Sequence, residues 1–351
     1  MKDVARMALT PGMEIAVDVY NYHNERIIKA GTIVDNQVIT KLARHSVMCV
    51  TIMEEVDYAE TYFEKIRFSD GYKHFDEQYQ RVLSGFKSTI GNFVDASVPF
   101  SMVQLMSYYN ELYHSVRKPE LIIDYLYNML PSEDDMTYAH CLNAALIAGV
   151  FGNWIALSGE DLETLIQCAF LYDIGKLKLP NFIIWKPGKL NIVEQEQMKT
   201  HTFLGYQLIK DLPINEHIKN AALMHHERYD GSGYPNRLKD VQIDVFARYI
   251  SIIDAYEAMT SARIYRESKH PFEVIEIFQE QQTKYDLNIL NKILYDLASH
   301  AIGLKVLLSD DRKAEVILIN QPDLSRPLLR DENNQFINLA EQRNLRILGI
   351  Y

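Results

Sequence analysis

Residues 137–151 read TYAHCLNAALIAGVF, and residues 168–176 read CAFLYDIGK. In the first stretch, apolar residues follow His140 one and two turns later on the same helical stripe. Apolar residues recur every three or four positions, with few prolines, from about residue 57 to about residue 299. This spacing predicts a mainly α fold, with an all-helical domain whose apolar stretches carry isolated polar residues.

The two ends of the chain have a different pattern. Short β-branched stretches broken by Asn and Gly run from Met7 to Ile52, with a helix expected near Asn36–His45. Beyond Gly303, apolar and polar residues alternate between turn signals. We therefore expect small β-rich modules at both termini. The predicted parts are residues 1–56 (β-rich), 57–130 (helical connection), 131–299 (the domain that carries the chemistry) and 300–351 (β-rich).

The charge of the chain limits its partners. The 351 residues carry a formal net charge of -11, which provides no basic field for duplex DNA or anionic lipid. We therefore expect no polymeric nucleic acid partner. A small phosphate diester remains compatible, because bound divalent metals would supply positive charge.

Cysteine usage and apolar run lengths indicate the compartment. Cys49, Cys141 and Cys168 are far apart and form no CxxC pair, which favours a reducing environment. The N-terminus lacks the apolar core of a signal peptide, and the longest apolar runs are shorter than the roughly 18 residues of a membrane span. We expect a cytoplasmic protein without a membrane anchor.

Histidine and aspartate residues recur in apolar helical contexts between residues 138 and 254. Unpaired polar groups are costly to bury, so each needs a partner. An ordinary hydrogen bond in the core explains any one of them, whereas the whole set favours a metal site. The candidate ligands are His140, Asp173, His201, His225, His226 and Asp254.

Neutral imidazoles together with carboxylates suit divalent transition metals, so we expect Fe or Mn, with Zn as a further candidate, at two positions. Asp173 is the candidate bridge between two metals, which together activate a water for attack on phosphorus. Lys176 follows three residues later and would hold a phosphate oxygen or protonate the leaving alkoxide. A solvated surface lysine is the alternative interpretation.

The loop RYDGSGYPNR follows the histidine pair. Gly231 and Gly233 permit backbone conformations that other residues rarely adopt, and Pro235 stiffens the end of the loop. We expect a shaped loop beside His226.

These motifs resemble the HD-GYP family of cyclic di-GMP phosphodiesterases, a branch of the HD hydrolase superfamily. The resemblance covers roughly residues 134–297 through TYAHCLNAALIAG, LYDIGKLKLPNFIIWKPGKL, MKTHTFLGYQLI, HHERYDGSGYP and ARYISIIDAYEAMTSARIYR. It implies hydrolysis of cyclic di-GMP to pGpG, and further to GMP as an open question. The residues it implies are the six candidate ligands, with Lys176 after the His-Asp position, the loop Gly233, Tyr234 and Pro235, and the dinucleotide-binding Arg263 and Arg266.

The chain departs from the family pattern at three places. Tyr172 stands where the family has the His of its His-Asp pair. Near Met136 the chain lacks the Glu that supplies another ligand in some three-metal members of the family. Ala262-Arg263-Ile264 replaces the usual Asp-Arg-Pro. Because a neutral phenol with a pKa of about 10 is a poor ligand, we expect weaker binding of the metal beside His140.

These residues leave three hypotheses for the function. Retention of Lys176 and of the other histidines favours a phosphodiesterase, whereas Tyr172 favours a catalytically inactive cyclic di-GMP receptor. An HD hydrolase acting on another phosphate compound is a third hypothesis. Aromatic residues in the 57–130 region predict core or dimer packing, so a homodimer is a further hypothesis.

Overall fold

The computed structural model of the chain describes residues 2–21, 25–45, 47–53, 61–129, 131–186, 188–261 and 268–351. The chain divides into two compact units, Met1–Glu60 and Thr61–Tyr351. The expected boundaries at residues 56–57 and at residue 130 fall outside the described residues.

In its described residues, the first unit has two small antiparallel sheets, one α-helix and a 3-10 turn at Arg6–Ala8. Its strands are β1 (Lys2–Ala5), β2 (Glu14–Ile15), β3 (Val19–Tyr20), β4 (Arg26–Ile28) and β5 (Cys49–Met53). Strand β5 lies between β1 and β2, and β3 pairs with β4. Helix α1 (Asn36–Arg44) begins after Asp35, whose side chain accepts a hydrogen bond from the amide of Val38. The expected β-rich module and its helix are confirmed.

Helices make up most of the second unit. They are α2 (Tyr62–Phe68), α3 (Asp70–Ala96), α4 (Met102–Tyr113), α5 (Leu121–Tyr127), α6 (Met136–Trp154), α7 (Gly159–Leu171), α8 (Asn181–Ile184), α9 (Ile192–Lys199), α10 (His201–Ile209), α11 (Glu216–Met224), α12 (Val245–Thr260), α13 (Pro271–Glu280) and α14 (Leu287–His300).

Helix α6 is the centre of this unit. Its residues from Ala139 to Gly152 are all buried, so it has no solvent-facing polar stripe and must be surrounded by other helices. Helices α3, α4, α5, α7 and α12 pack around it. Helix α7 comes very close, because a Cβ at Gly152 would lie 2.4 Å from Cδ1 of Leu162. A polar residue on α6 is therefore placed deep inside the unit.

The aromatic residues of α3 and α4 belong mainly to the core. Phe86 and Tyr109 are buried, and the rings of Tyr109 and Tyr113 stack at 4.8 Å. The ring of Phe93 meets that of Phe100 edge-on at 4.8 Å. Packing within the chain accounts for these side chains.

A five-stranded antiparallel sheet ends the chain, in the order β10-β6-β7-β8-β9. Its strands are β6 (Lys305–Leu308), β7 (Lys313–Leu318), β8 (Leu328–Asp331), β9 (Phe336–Asn338) and β10 (Ile347–Ile350). Val306, Val316 and Leu329 are buried in the same core as α13 and α14. The mainly α fold with small terminal sheets is confirmed. Among the described helices, none has both the length and the apolar character that a bilayer crossing requires.

Candidate metal centre

The six predicted ligand residues meet at one place, although they come from five parts of the chain. His140 lies in α6, Asp173 follows the end of α7, His201 opens α10, His225 and His226 follow α11, and Asp254 lies in α12. Their ligand atoms form two groups, one of three histidines and one of a histidine with two aspartates. The helix packing thus brings together all six residues.

The first group consists of His201, His225 and His226, whose ligand atoms lie within 4.8 Å of one another. Nδ1 of His201 is 2.6 Å from the carbonyl of Met198, and Nδ1 of His225 is 3.0 Å from that of Ala221. Each Nδ1 therefore donates its proton to a carbonyl, which leaves a lone pair on each Nε2. These two Nε2 atoms face each other at 3.1 Å. Their lone pairs repel unless a cation lies between them.

Burial keeps these imidazoles neutral. It lowers the pKa of His201 below its usual value and lowers the pKa of His225 to about 4. Burial, together with neighbouring His225, holds the pKa of His226 well below its usual value. Three neutral imidazoles with converging lone pairs fit a divalent transition metal.

The second group consists of His140, Asp173 and Asp254. Nε2 of His140 lies 3.1 Å from Oδ1 of Asp254 and 3.3 Å from Oδ2 of Asp173. Burial alone would lower the pKa of His140, but Glu257 and the two aspartates raise it well above its usual value. A proton on Nε2 and a divalent cation would occupy the same place, so cation binding here must release a proton.

Asp173 lies between the two groups. Its Oδ1 is 3.3 Å from Nε2 of His201, and its Oδ2 is 3.3 Å from Nε2 of His140. The side chain is fully buried, and neither oxygen has a hydrogen bond of ordinary geometry within the described part of the chain. Burial would raise the pKa of Asp173, but Lys176 and the two histidines hold it well below its usual range. An ionised carboxylate thus faces both groups and fits a bridging ligand.

Tyr172 occupies the space beside His140. Its hydroxyl lies 2.6 Å from Nε2 of His140 and 3.4 Å from Oδ1 of Asp254, and its ring meets that of His225 edge-on at 4.9 Å. Burial and the neighbouring aspartates raise the pKa of this phenol well above its usual value. A neutral hydroxyl therefore engages the nitrogen that a metal at this group would need, so this group fits a cation less well than the histidine group does.

Glu257 orients His140, a role that the sequence analysis missed. Nδ1 of His140 lies 2.5 Å from Oε2 of Glu257, and Asn143 and Ser261 donate to Oε1 at 2.9 and 2.5 Å. The hydroxyl of Tyr79 in turn donates to Asn143 at 2.6 Å. Such a carboxylate fixes the tautomer of a ligand histidine. The only signal in the sequence is its position three residues after the aspartate of α12.

The predicted loop lies beside the histidine group. The ring of Tyr234 stacks on that of His226, with 4.8 Å between centroids and 30° between planes. A Cβ at Gly233 would lie 2.4 Å from the amide nitrogen of Arg228, so only glycine fits there. Gly231 has a φ of +83°, which also favours glycine, and Pro235 lies at the exposed edge.

Glu227 binds the backbone of this loop, a role that the sequence analysis also missed. It is buried, and its two oxygens accept hydrogen bonds from the amides of Asn236 at 2.6 Å and Leu238 at 3.0 Å. A buried carboxylate that accepts backbone N–H groups on both oxygens fixes the path of the chain. An acidic residue directly after the histidine pair was the available signal.

Lys176 reaches the centre from the turn after α7. Its ammonium is the ion-pair partner of Oδ2 of Asp173. The turn packs tightly against α10, because a Cβ at Gly175 would lie 2.0 Å from the carbonyl oxygen of His201. The spacing that predicted Lys176 near Asp173 thus corresponds to a direct contact. The remaining predicted residues, Arg263 and Arg266, lie outside the described residues, as do Ala262 and Ile264.

Comparison with known proteins identifies this helical region. Residues 124–289 match the HD domain family. The chain contains an HD domain. This match bears out the predicted HD domain, and relatives named as cyclic di-GMP phosphodiesterases bear out the HD-GYP type.

Curated relatives and one solved structure are similar to this HD domain protein. The chain is 38% identical over 138 residues to the cyclic di-GMP phosphodiesterase response regulator RpfG of Xanthomonas campestris pv. campestris, covering 38% of this chain and 36% of the relative. It is 36% identical to a cyclic di-GMP phosphodiesterase of Thermotoga maritima, covering 44% and 42%. The chain therefore spans less than half the length of these relatives.

The solved structure is Bd1817, a HDG"Y"P protein from Bdellovibrio bacteriovorus. It superposes with a TM-score of 0.51 at 12% identity, covering 84% of this chain and 99% of that one. At this identity the likeness concerns the fold alone.

Proposed function

We propose that the HD domain is a metal-dependent phosphodiesterase that hydrolyses cyclic di-GMP to pGpG, with cleavage of pGpG to GMP left as an open question. The observation that carries this proposal is Asp173, a buried ionised carboxylate 3.3 Å from an imidazole of each ligand group and in ion contact with Lys176. The cyclic di-GMP phosphodiesterases among the relatives support the substrate.

We infer two unequal metal positions, filled by Fe or Mn, with Zn as a further candidate. The stronger one is formed by His201, His225, His226 and Asp173, and the weaker one by His140, Asp173 and Asp254. When bound, divalent metals supply an acidified water as nucleophile and neutralise charge on the phosphate. Tyr172 lowers activity in this proposal, because its hydroxyl engages His140.

The residues of the chain have separate tasks in this reaction. Asp173 would serve as a ligand to both metals, and Lys176 would bind a phosphate oxygen or give a proton to the leaving alkoxide. The loop of Gly233, Tyr234 and Pro235 forms one wall of the site. In the proposal, Arg263 and Arg266 bind the dinucleotide, as their match to the family motif implies; guanidinium forks suit phosphates and guanine edges.

A catalytically inactive receptor for cyclic di-GMP is the second candidate. The contact of 2.6 Å between the Tyr172 hydroxyl and Nε2 of His140 favours it, since a receptor needs no second metal. Such a protein would retain the pocket and bind the dinucleotide without cutting it.

One experiment separates the two functions. The wild type and Tyr172→His are purified anaerobically, loaded with Mn or Fe, and assayed for both hydrolysis and binding of cyclic di-GMP. Hydrolysis by the wild type supports the phosphodiesterase. Binding without turnover, beside a variant that cuts, would establish the receptor. If neither protein binds nor cuts the dinucleotide, both functions are refuted.

The other predictions belong to the same proposal. Residues 131–299 carry the activity in the bacterial cytoplasm, without a polymeric nucleic acid partner. The module at residues 300–351 covers part of the helical core, and the protein forms a homodimer. A light-scattering mass equal to one chain of 40.7 kDa would refute the homodimer.

A further inference from the structure

A cavity of about 270 Å³ is lined in part by Lys176. Trp185 and Tyr138 provide its aromatic lining, and Asp95 and Asp134 provide carboxylates. Lys176 is shared between this cavity and the metal centre, where it contacts Asp173. A molecule with a phosphate at Lys176 would therefore extend into this space.

Helix α3 forms one wall of the cavity, although it lies outside the residues that match the HD domain family. Nζ of Lys178 donates to the carbonyl of Val94 at 2.5 Å, which ties the end of α3 to the turn that carries Lys176. A Cβ at Gly91 would lie 3.4 Å from the hydroxyl of Tyr138. These contacts fix the position of Asp95 relative to the centre.

The two carboxylates are available to a ligand. Within the described ranges, neither Asp95 nor Asp134 has a hydrogen-bond or ion-pair partner. The adjacent Asp135 differs, because it accepts from Lys87 at 2.6 Å and from Ser132 at 2.5 Å. An ionised carboxylate only accepts hydrogen bonds, so Asp95 and Asp134 select for a ligand edge that donates.

We propose that this cavity binds one guanine base of the substrate, with the ring on Trp185 and its N1–H and 2-amino groups donating to Asp95 and Asp134. This inference rests on the proposed function, since it places the adjoining phosphate at Lys176. Base recognition by aromatic stacking together with hydrogen bonds to the Watson–Crick edge is a general solution for a single nucleotide.

The same chemistry discriminates against adenine. The N1 of adenine is an acceptor and would face a carboxylate oxygen, whereas guanine presents two adjacent donors there. The cavity is smaller than the roughly 300 to 1,000 Å³ of sites that hold a whole drug-sized ligand, so it accommodates one half of a dinucleotide. Asp95 and Asp134 thus determine base specificity at one of the two positions.

Mononucleotides test this site independently of turnover. Trp185 is one of only two tryptophans, so its fluorescence reports binding of GMP or AMP to the full chain. Both probes carry the same phosphate, and a difference between them isolates the base. We expect GMP to quench the fluorescence and to bind at least about fivefold more tightly than AMP, with the signal lost in Trp185→Phe.

Variants of the two carboxylates complete the test. In Asp95→Asn/Asp134→Asn, the amides can donate to N1 of adenine, so the preference for GMP should disappear. Glu77→Gln is the control, because it removes one negative charge from an exposed position of α3 about 27 Å from Asp95 along the helix. Equal binding of GMP and AMP, an unchanged preference in the double variant, or no binding of either would overturn the proposal.

A separate assay with cyclic di-GMP distinguishes this inference from the proposed function. Selective GMP binding without hydrolysis of cyclic di-GMP would refute the phosphodiesterase and retain the guanine site. Hydrolysis of cyclic di-GMP with equal binding of GMP and AMP would refute the guanine site and retain the phosphodiesterase.

Discussion

The hydroxyl of Tyr172 lies 2.6 Å from Nε2 of His140, so a tyrosine at the His-Asp position interacts directly with a predicted metal ligand. Nδ1 of the same imidazole is held by Glu257 at 2.5 Å. Both nitrogens of His140 are therefore engaged within the protein. By contrast, Nδ1 of His201 has a carbonyl partner, whereas Nε2 of His201 faces Nε2 of His225.

Two substitutions at Tyr172 should distinguish two effects of the tyrosine: its hydroxyl blocks the second metal position, and its side chain replaces a ligand histidine. Tyr172→Phe frees Nε2 of His140 without adding a ligand, whereas Tyr172→His does both. We expect bound Mn to rise from about one to about two equivalents per chain in the histidine variant, with a smaller rise in the phenylalanine variant. Elemental analysis after equilibrium dialysis measures both. Two equivalents in the wild type would contradict this account.

Glu257→Gln should weaken the metal position at His140. Three donors, from His140, Asn143 and Ser261, converge on this carboxylate, and an amide would direct its own N–H groups at one of them. Loss of such a partner reduces metal affinity about 10- to 100-fold. Chelator competition with Mn, carried out in the Tyr172→His background so that the second metal is present, measures the change. Glu280→Gln, exposed at the end of α13, is the control and should leave the affinity unaltered.

The residues of the candidate metal centre could be selected from the sequence because their chemistry is visible in the residue type. A histidine or aspartate in an apolar helix needs a partner, and the spacing of Asp173 and Lys176 places both at one turn. The helical core and the terminal sheets followed from periodicities of 3.6 and 2 in the same way.

Other residues could not be recognised from the sequence because they act through neighbours. The partner of Glu257 is His140, 117 positions away, and the partners of Glu227 are backbone amides. In the sequence alone, both glutamates therefore look like ordinary surface residues of a helix or loop. Gly175 is required because the backbone of α10 passes against it, a contact between distant segments. The wall that α3 adds near Lys176 is likewise a product of tertiary packing.

Gly233→Ala should distort the loop beside His226. The new methyl group would lie within 2.5 Å of backbone atoms of Glu227 and Arg228, so the chain must shift. We expect a loss of about 1–3 kcal/mol in the free energy of unfolding, together with weaker Mn binding. Urea denaturation and metal titration measure the two effects. Ser232→Ala, exposed in the same loop, should change neither the free energy of unfolding nor the Mn affinity. If Gly233→Ala matches the wild type in both measurements, the loop accommodates the methyl group and this prediction is wrong.

The ion pair between His300 and Asp124 should make stability depend on pH. Nε2 of His300 lies 3.2 Å from Oδ2 of Asp124. Burial would lower the pKa of His300, but Asp124 raises it above its usual value. The folded protein then binds the proton more tightly than the unfolded chain does. The stabilisation is fully present below the unfolded pKa of about 6.5 and is lost as pH rises through the folded pKa.

His300→Gln tests this dependence, because glutamine keeps a donor near Asp124 but does not titrate. Between pH 6 and pH 9 the wild type should lose roughly 0.5–1 kcal/mol of unfolding free energy relative to the variant, a modest value because the pair is partly exposed to solvent. Urea denaturation of both proteins across this range gives the difference, in which the other titrating groups cancel. Parallel pH profiles for the two proteins would mean that His300 has the same proton affinity in the folded and unfolded chain.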